Sequence, residues 1–176
     1  MNIEKFGHKS QMQNIIFIHG LESSGKGFKG QLLRSIFPEC LTPDFEKYNP
    51  NISIKILLEK RMTQLNLILK DKDNWIIIGS SFGGLMGALY TCQNPKKVSK
   101  LILLAPYLSI PEFNSKKYSS VDIPVIIFHG KRDKIALIDQ SRPLAEAFFT
   151  NLTYNIVNDN HYLHKTVKRI NWKKLI

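Results

Sequence analysis

Residues 75–84 read W-I-I-I-G-S-S-F-G-G. Four apolar residues run into Gly79-Ser80-Ser81-Phe82-Gly83, and a helix-like stretch, 85–92, follows. The pattern is that of a buried strand, a very tight turn and a helix, with Ser81 at the centre of G-x-S-x-G. In a nucleophile elbow the serine sits on a strained turn that lifts its hydroxyl clear of the sheet. Strand and helix then nearly collide, so the positions two before and two after the serine must be tiny. Here they are Gly79 and Gly83, with Ser80 and Gly84 beside them. The plain alternative is a glycine-rich turn with an incidental serine; the strand before it and the helix after it favour the elbow.

Outward from this stretch, apolar runs and helical patterns alternate. Strands are expected at 14–19, weakly at 40–43, and at 75–79, 100–105, 124–129 and 152–157. Helices are expected at 27–36, 53–70, 82–93 and 139–149, with a last one near 161–175. The second helix is the clearest: Ile54, Leu57, Leu58, Met62, Leu65, Ile68 and Leu69 follow a helical period that only Arg61 interrupts. Several strands are nearly continuous Ile, Leu and Val, as strands buried on both faces are. The fold class read from this is α/β: three layers, doubly wound, with a mostly parallel six-stranded sheet.

A chain of 176 residues, 43% hydrophobic and 22% charged, is expected to be one globular domain over 1–176, with a polar N-terminal segment at 1–13. The apolar runs are too short to span a membrane or to form a signal-peptide core, which makes the cytoplasm the expected compartment and a membrane partner unexpected. Cys40 and Cys92 suggest neither a disulfide framework nor a zinc site. The net charge of +11 raises nucleic acid as a partner. The bases are spread along the chain, however, and the densest group (Lys165, Lys168, Arg169, Lys173 and Lys174) reads as a solvated helix face, so no nucleic-acid partner is expected.

A serine nucleophile needs a base and a group to orient that base. Asp133 lies just past the fifth expected strand, where ligands meet an open α/β sheet. It is favoured over Asp139, which reads as a helix cap, and over Asp122, which lies before its strand. Asn158-Asp159-Asn160-His161 follows the sixth strand and delivers a histidine just past its end, and His161 is favoured as the base over His164. His8, His19 and His129 read as structural or incidental.

The first strand ends I-I-F-I-H-G-L-E-S-S-G-K-G. Gly20-x-x-x-x-Gly25-Lys26 is nearly a P-loop, but Gly27 stands where Ser or Thr would hold magnesium, and no later strand ends in a metal-binding aspartate. The other reading is an oxyanion loop, with the N–H of Leu21 and that of Phe82 aimed at a developing negative charge. This one is favoured because it agrees with the serine, the acid and the base.

Taken in order, I-I-F-I-H-G-L-E-S-S, G-S-S-F-G-G, L-I-L-L-A-P, H-G-K-R-D and N-D-N-H resemble the motifs of a small α/β-hydrolase over residues 15–161. The short length and the H-G-L-E-S-S start are similar to compact bacterial serine esterases of the YqiA type. The resemblance implies a minimal α/β-hydrolase fold without a lid, lacking the first two strands of the full fold. It implies a serine hydrolase of small carboxylic esters or thioesters, with Ser81 as nucleophile, His161 as base, Asp133 as orienting acid, and no metal or cofactor. Many relatives have glycine before the histidine, where this chain has Asn160. The segment 107–122 is too short for a helical lid, and Tyr107, Leu108, Phe113 and Tyr118 are its candidate pocket contacts. A non-catalytic protein that keeps the fold, and a P-loop nucleotide binder, are the competing classes.

Overall fold

The computed structural model describes residues 13–114 and 116–176; most of the polar N-terminal segment falls outside them. β1 (Asn14–Ile18), β2 (Trp75–Ser80), β3 (Val98–Leu104), β4 (Val125–Gly130) and β5 (Leu152–Val157) form one all-parallel sheet in the order β1-β2-β3-β4-β5. α1 (Phe28–Ile36) and α2 (Ile54–Leu69) lie between β1 and β2, and α3 (Phe82–Gln93) between β2 and β3. α4 (Ile138–Phe148) joins β4 to β5, and α5 (His164–Arg169) and α6 (Trp172–Leu175) close the chain.

The strand expected at 40–43 is a correction: the sheet among the described residues has five strands, not six. Only Leu41 pairs, in a single parallel bridge to Ile16 held by Phe17 N–H to Leu41 O at 2.8 Å and Leu41 N–H to Ile15 O at 2.9 Å. Pro38 and Pro43 flank it, and a proline can neither donate to a ladder nor leave its predecessor free to choose its backbone angles. The chain then turns away, and the Asp44 carboxylate accepts the Gly25 N–H at 2.7 Å. The last expected helix is also two short ones, α5 and α6, which leaves His161 in the loop before them.

Strand alternation sorts the core onto two faces. Ile16, Ile18, Ile77, Leu101 and Ile127 meet α2, α3 and α4 on one side. Ile15, Phe17, Ile76, Ile78 and Leu104 meet Leu33 of α1, Val167 of α5 and Trp172 of α6 on the other. Continuous apolar strands are thus needed because both faces are covered. From β1 the chain moves to Leu41 on one side and then returns past β1 to β2 on the other. The sheet therefore has its switch point between the C-terminal ends of β1 and β2, where an open α/β sheet forms its crevice.

Candidate active site

At that crevice β2 ends and α3 begins without a spacer. Ser81, at the junction, has φ 54° and ψ −115°, a left-handed backbone at a residue with a Cβ. Such a conformation costs about 1–3 kcal/mol and persists only where its surroundings impose it. Here the Ser81 N–H donates to Leu104 O at 2.9 Å, and the Ser81 carbonyl accepts from Gly84 at 2.9 Å and Tyr107 at 3.2 Å. The glycines are required by close approach: a Cβ on Gly79 would lie 2.5 Å from Gly83 O, and one on Gly83 would run into the carbonyl oxygens of Ile18 and His19.

Three side chains from separate strand ends meet here. Ser81 Oγ lies 2.9 Å from His161 Nε2, and His161 Nδ1 lies 2.8 Å from Asp133 Oδ2. The other oxygen, Asp133 Oδ1, accepts the N–H groups of Ile135 at 2.8 Å and Ala136 at 2.9 Å. Burial by itself would push the Asp133 carboxyl up. The hydrogen bonds from His129 and His161 and from the Ile135 N–H outweigh it and hold the group well below the usual carboxylate range. Asp133 is therefore an anion, and a hydrogen-bonded anion at Nδ1 selects the tautomer of His161 that leaves Nε2 free to accept from Ser81.

The loop that carries His161 is pinned by Asp159. One carboxylate oxygen accepts from Asn160 N–H at 2.9 Å; the other accepts from the N–H groups of Lys165 at 3.1 Å and Thr166 at 3.0 Å and from the Thr166 hydroxyl at 2.9 Å. Asn160, which stands where many relatives have glycine, folds back so that its Oδ1 accepts the Tyr162 N–H at 3.0 Å. His164 opens α5 and stacks edge-on against Phe28, 4.9 Å between ring centres. Asp139 lies in the first turn of α4 and Asp122 is exposed, with Thr150 Oγ1 donating to it at 3.0 Å; neither touches His161.

A cavity of about 760 Å³ opens over Ser81 and His161, and Gly20, Leu21, Phe82 and Tyr107 are on its wall. Among the described residues the N–H groups of Leu21 and Phe82 have no acceptor. Leu108 and Phe113, expected as pocket contacts, are not on this wall. Both are fully buried, Phe113 against Phe148 at 4.3 Å between ring centres, because the segment after β3 turns its apolar side chains into the core. Tyr118 also lies away from the cavity, its hydroxyl accepting from Gln93 Nε2 at 3.2 Å. The near-P-loop is no phosphate cradle: the Asp44 carboxylate already holds the Gly25 N–H, and a second anion there would be repelled.

Three supporting side chains escape a linear reading. Arg61 of α2 is wholly buried. Its guanidinium donates from Nε to Glu46 O at 2.8 Å, from Nη1 to Gly20 O at 3.4 Å and from Nη2 to Leu21 O at 2.8 Å, and it lies 5.4 Å over the Phe82 ring. Its only sequence signal is a polar break in an apolar stripe. His129, which closes β4, meets the carbonyl of Ala136 at 2.7 Å and the Tyr154 hydroxyl at 2.6 Å, and its Nε2 lies 3.3 Å from Asp133 Oδ2. His19 Nδ1 lies 2.8 Å from Gly20 O, while its Nε2 accepts the Phe45 N–H at 3.1 Å; that acceptance makes Nδ1 the protonated nitrogen. Burial lowers the pKa of His19, which agrees with a neutral ring.

A strand-elbow-helix with its serine at the switch point is the layout of one family, and the model of that family, described as alpha/beta hydrolase fold, matches residues 13–118. The chain belongs to the α/β-hydrolase fold family. No curated protein matches it in sequence. Among solved structures it is similar to Est1E from Butyrivibrio proteoclasticus, determined with ferulic acid bound: 17% identity, 93% of this chain and 88% of that one, TM-score 0.73. It is similar to alpha/beta hydrolase domain-containing protein 10 from mouse, at 19% identity over 93% and 90% of the two chains, TM-score 0.71. It also resembles a serine hydrolase from the polyaromatic hydrocarbon-degrading bacterium Cycloclasticus zankles, at 14% identity over 93% and 89%, TM-score 0.74. At these identities the likeness is one of fold. Among the described residues no helix is long and apolar enough to cross a membrane.

Proposed function

We propose that the protein is a serine hydrolase that cleaves small carboxylic esters or thioesters through an acyl-enzyme. The observation that carries this reading is the unbroken hydrogen-bonded chain from Ser81 Oγ through both nitrogens of His161 to Asp133. As Ser81 Oγ attacks the carbonyl carbon, its proton passes to His161 Nε2. Asp133 stabilises the imidazolium that forms and is not itself protonated. The carbonyl oxygen becomes an oxyanion held by the N–H groups of Leu21 and Phe82. When the tetrahedral intermediate collapses, the ester or thioester bond breaks and His161 returns the proton to the departing alcohol or thiol. Water, deprotonated by the same nitrogen, then attacks the acyl carbon, the bond to Ser81 Oγ breaks, and His161 returns the proton to Oγ as the acid leaves. This chemistry draws on side chains and backbone N–H groups alone.

The finer resemblance to compact bacterial serine esterases agrees with this reading. So does the wall of the cavity, where Tyr107 is the side chain contributed by the short segment between β3 and β4. The test is labelling with a fluorophosphonate followed by peptide mapping, with hydrolysis of a panel of 4-nitrophenyl esters beside it. Label on Ser81 together with ester turnover is the expected result. A protein that is folded, unlabelled and inactive on every ester would instead be a binding protein on the same scaffold.

A further inference from the structure

The cavity continues past the serine onto the sheet face that α1 and α5 cover. Phe17, Ser80, Phe28, Lys29 and His164 line this part of it. Ser80 follows Ile78 by two residues on β2 and so shares its face, the one where Ile78, Phe17 and Leu33 pack together. Lys29 stands one turn before Leu33 on α1 and so shares the stripe that Leu33 turns to the sheet. A sheet-facing helix position at this depth is ordinarily apolar. Here it holds an ammonium group.

That ammonium group has no partner among the described residues. No carboxylate lies within ion-pair distance of Lys29, and its Nζ makes no hydrogen bond. Asp159 exerts a favourable field on it, but both oxygens of Asp159 are already held by the start of α5 and by Asn160. Burial dominates and lowers the Lys29 pKa to about 8, so the group is still charged at neutral pH. Ser80 is only 6% exposed, and its hydroxyl is likewise without a hydrogen bond among the described residues. Two donors, one of them charged, thus line the cavity of the nucleophile with nothing to donate to. Neither donor atom is sealed from water, so both are free to donate to an anion bound in this cavity, where a charge-assisted hydrogen bond is stronger than a neutral one.

We propose that Lys29 and Ser80 form an anion subsite, and that the substrate of this hydrolase carries a carboxylate besides its ester. The inference rests on the hydrolase reading for turnover, though not for binding. One lysine balances one negative charge, which fits a carboxylate better than a phosphate dianion. The remaining walls, Phe17 and Phe28, are apolar and suit a short carbon spacer between the carboxylate and the scissile carbonyl.

The test uses paired esters of like shape: 4-nitrophenyl hemisuccinate against 4-nitrophenyl butyrate for charge on the acyl side, and 3-carboxyphenyl acetate against phenyl acetate for charge on the leaving side. In one of the pairs the anionic member should be preferred in kcat/KM by about tenfold or more, the yield of one charge-assisted hydrogen bond in a partly buried site. Lys29→Met should remove that preference while leaving the neutral ester within about threefold, and Lys29→Arg should keep part of it. Binding of monomethyl succinate to the Ser81→Ala protein, followed by NMR titration, should weaken by a similar factor when Lys29→Met is added. No anionic preference in either pair, or a preference that survives Lys29→Met, overturns the subsite. Lys29-dependent binding without any turnover would uphold the subsite and bring down the hydrolase reading instead. Turnover of neutral esters with no role for Lys29 would do the reverse.

Discussion

Arg61 Nη2 donates to the carbonyl of Leu21 at 2.8 Å, from a helix far in sequence from the loop after β1. Nη1 and His19 Nδ1 reach the neighbouring carbonyl, Gly20 O, at 3.4 Å and 2.8 Å. In a trans peptide the C=O of Gly20 and the N–H of Leu21 point in opposite directions. Donors gripping that carbonyl from behind therefore aim the Leu21 N–H away from themselves, toward the cavity. The same guanidinium lies over the ring of Phe82, the residue that supplies the other free N–H. One buried cation thus supports both of the N–H groups proposed as oxyanion donors.

Arg61→Met should accordingly lower kcat by roughly tenfold to a hundredfold with KM little changed, short of the loss of about 10²–10³ seen when an oxyanion donor is itself removed. The orphaned carbonyls should also cost about 1–3 kcal/mol, visible as a Tm lower by several degrees. Arg61→Lys should restore part of the rate. A rise in KM with kcat intact would assign Arg61 to substrate binding instead.

Ser81→Ala should abolish fluorophosphonate labelling and ester turnover. It should leave the protein folded, with circular dichroism unchanged and Tm equal or higher, because the strained elbow loses nothing that packs. Label recovered on Ser80 in the wild-type protein would displace Ser81 as the nucleophile.

His161→Ala and Asp133→Asn should each lower turnover by orders of magnitude; loss of a triad acid can cost about 10⁴. His164→Ala and Asp139→Asn should be mild, since neither side chain touches Ser81 or His161. Inactivity of His164→Ala with an active His161→Ala would exchange their roles.

Asp133 also makes a pH prediction. Its carboxyl is held below the ordinary value of about 3.9, so the folded state prefers the anion more than the unfolded chain does. The stability this confers is complete above about pH 4 and is lost as pH falls toward the depressed folded value. Urea midpoints at pH 7 should place the native protein above Asp133→Asn by on the order of 2 kcal/mol, and the gap should narrow at pH 3. A gap that is constant or widens in acid would mean that the carboxylate's charge is not what stabilises it.

The segment between β3 and β4 contributes Tyr107 to the cavity wall and sends Leu108 and Phe113 into the core. Among its described residues that segment forms no helical cover, so short acyl esters should be cleaved better than long ones, and rates should not jump when substrate passes its solubility limit. A strong preference for acyl chains of twelve or more carbons (a span of about 15 Å at roughly 1.3 Å per carbon) would contradict the short-chain expectation.

How much of this was legible in the chain follows from the range of each interaction. The elbow was readable because its demands are local: a buried strand, tiny residues two before and two after Ser81, and a helix. Asp133 and His161 were readable because parallel strands all end on one edge, so a residue just past a strand end is placed there whatever the helices do. Other features depended on which distant parts packed together. The strand expected at 40–43 shrank to Leu41 alone because its flanking prolines and the pull of Asp44 toward Gly25 outweighed its β character. Leu108 and Phe113 looked like pocket walls, since apolar residues in a loop read alike whether they face a ligand or a core. Arg61 looked like a blemish in an apolar helix face, and Lys29 like one base among many. Only the tertiary structure brought Arg61 beneath the carbonyls of Gly20 and Leu21 and set Lys29 and Ser80 on the wall of one cavity. Side-chain charge is written in the sequence, but what a charge meets is set by contacts between residues far apart along it, and those exist only once the layers have packed.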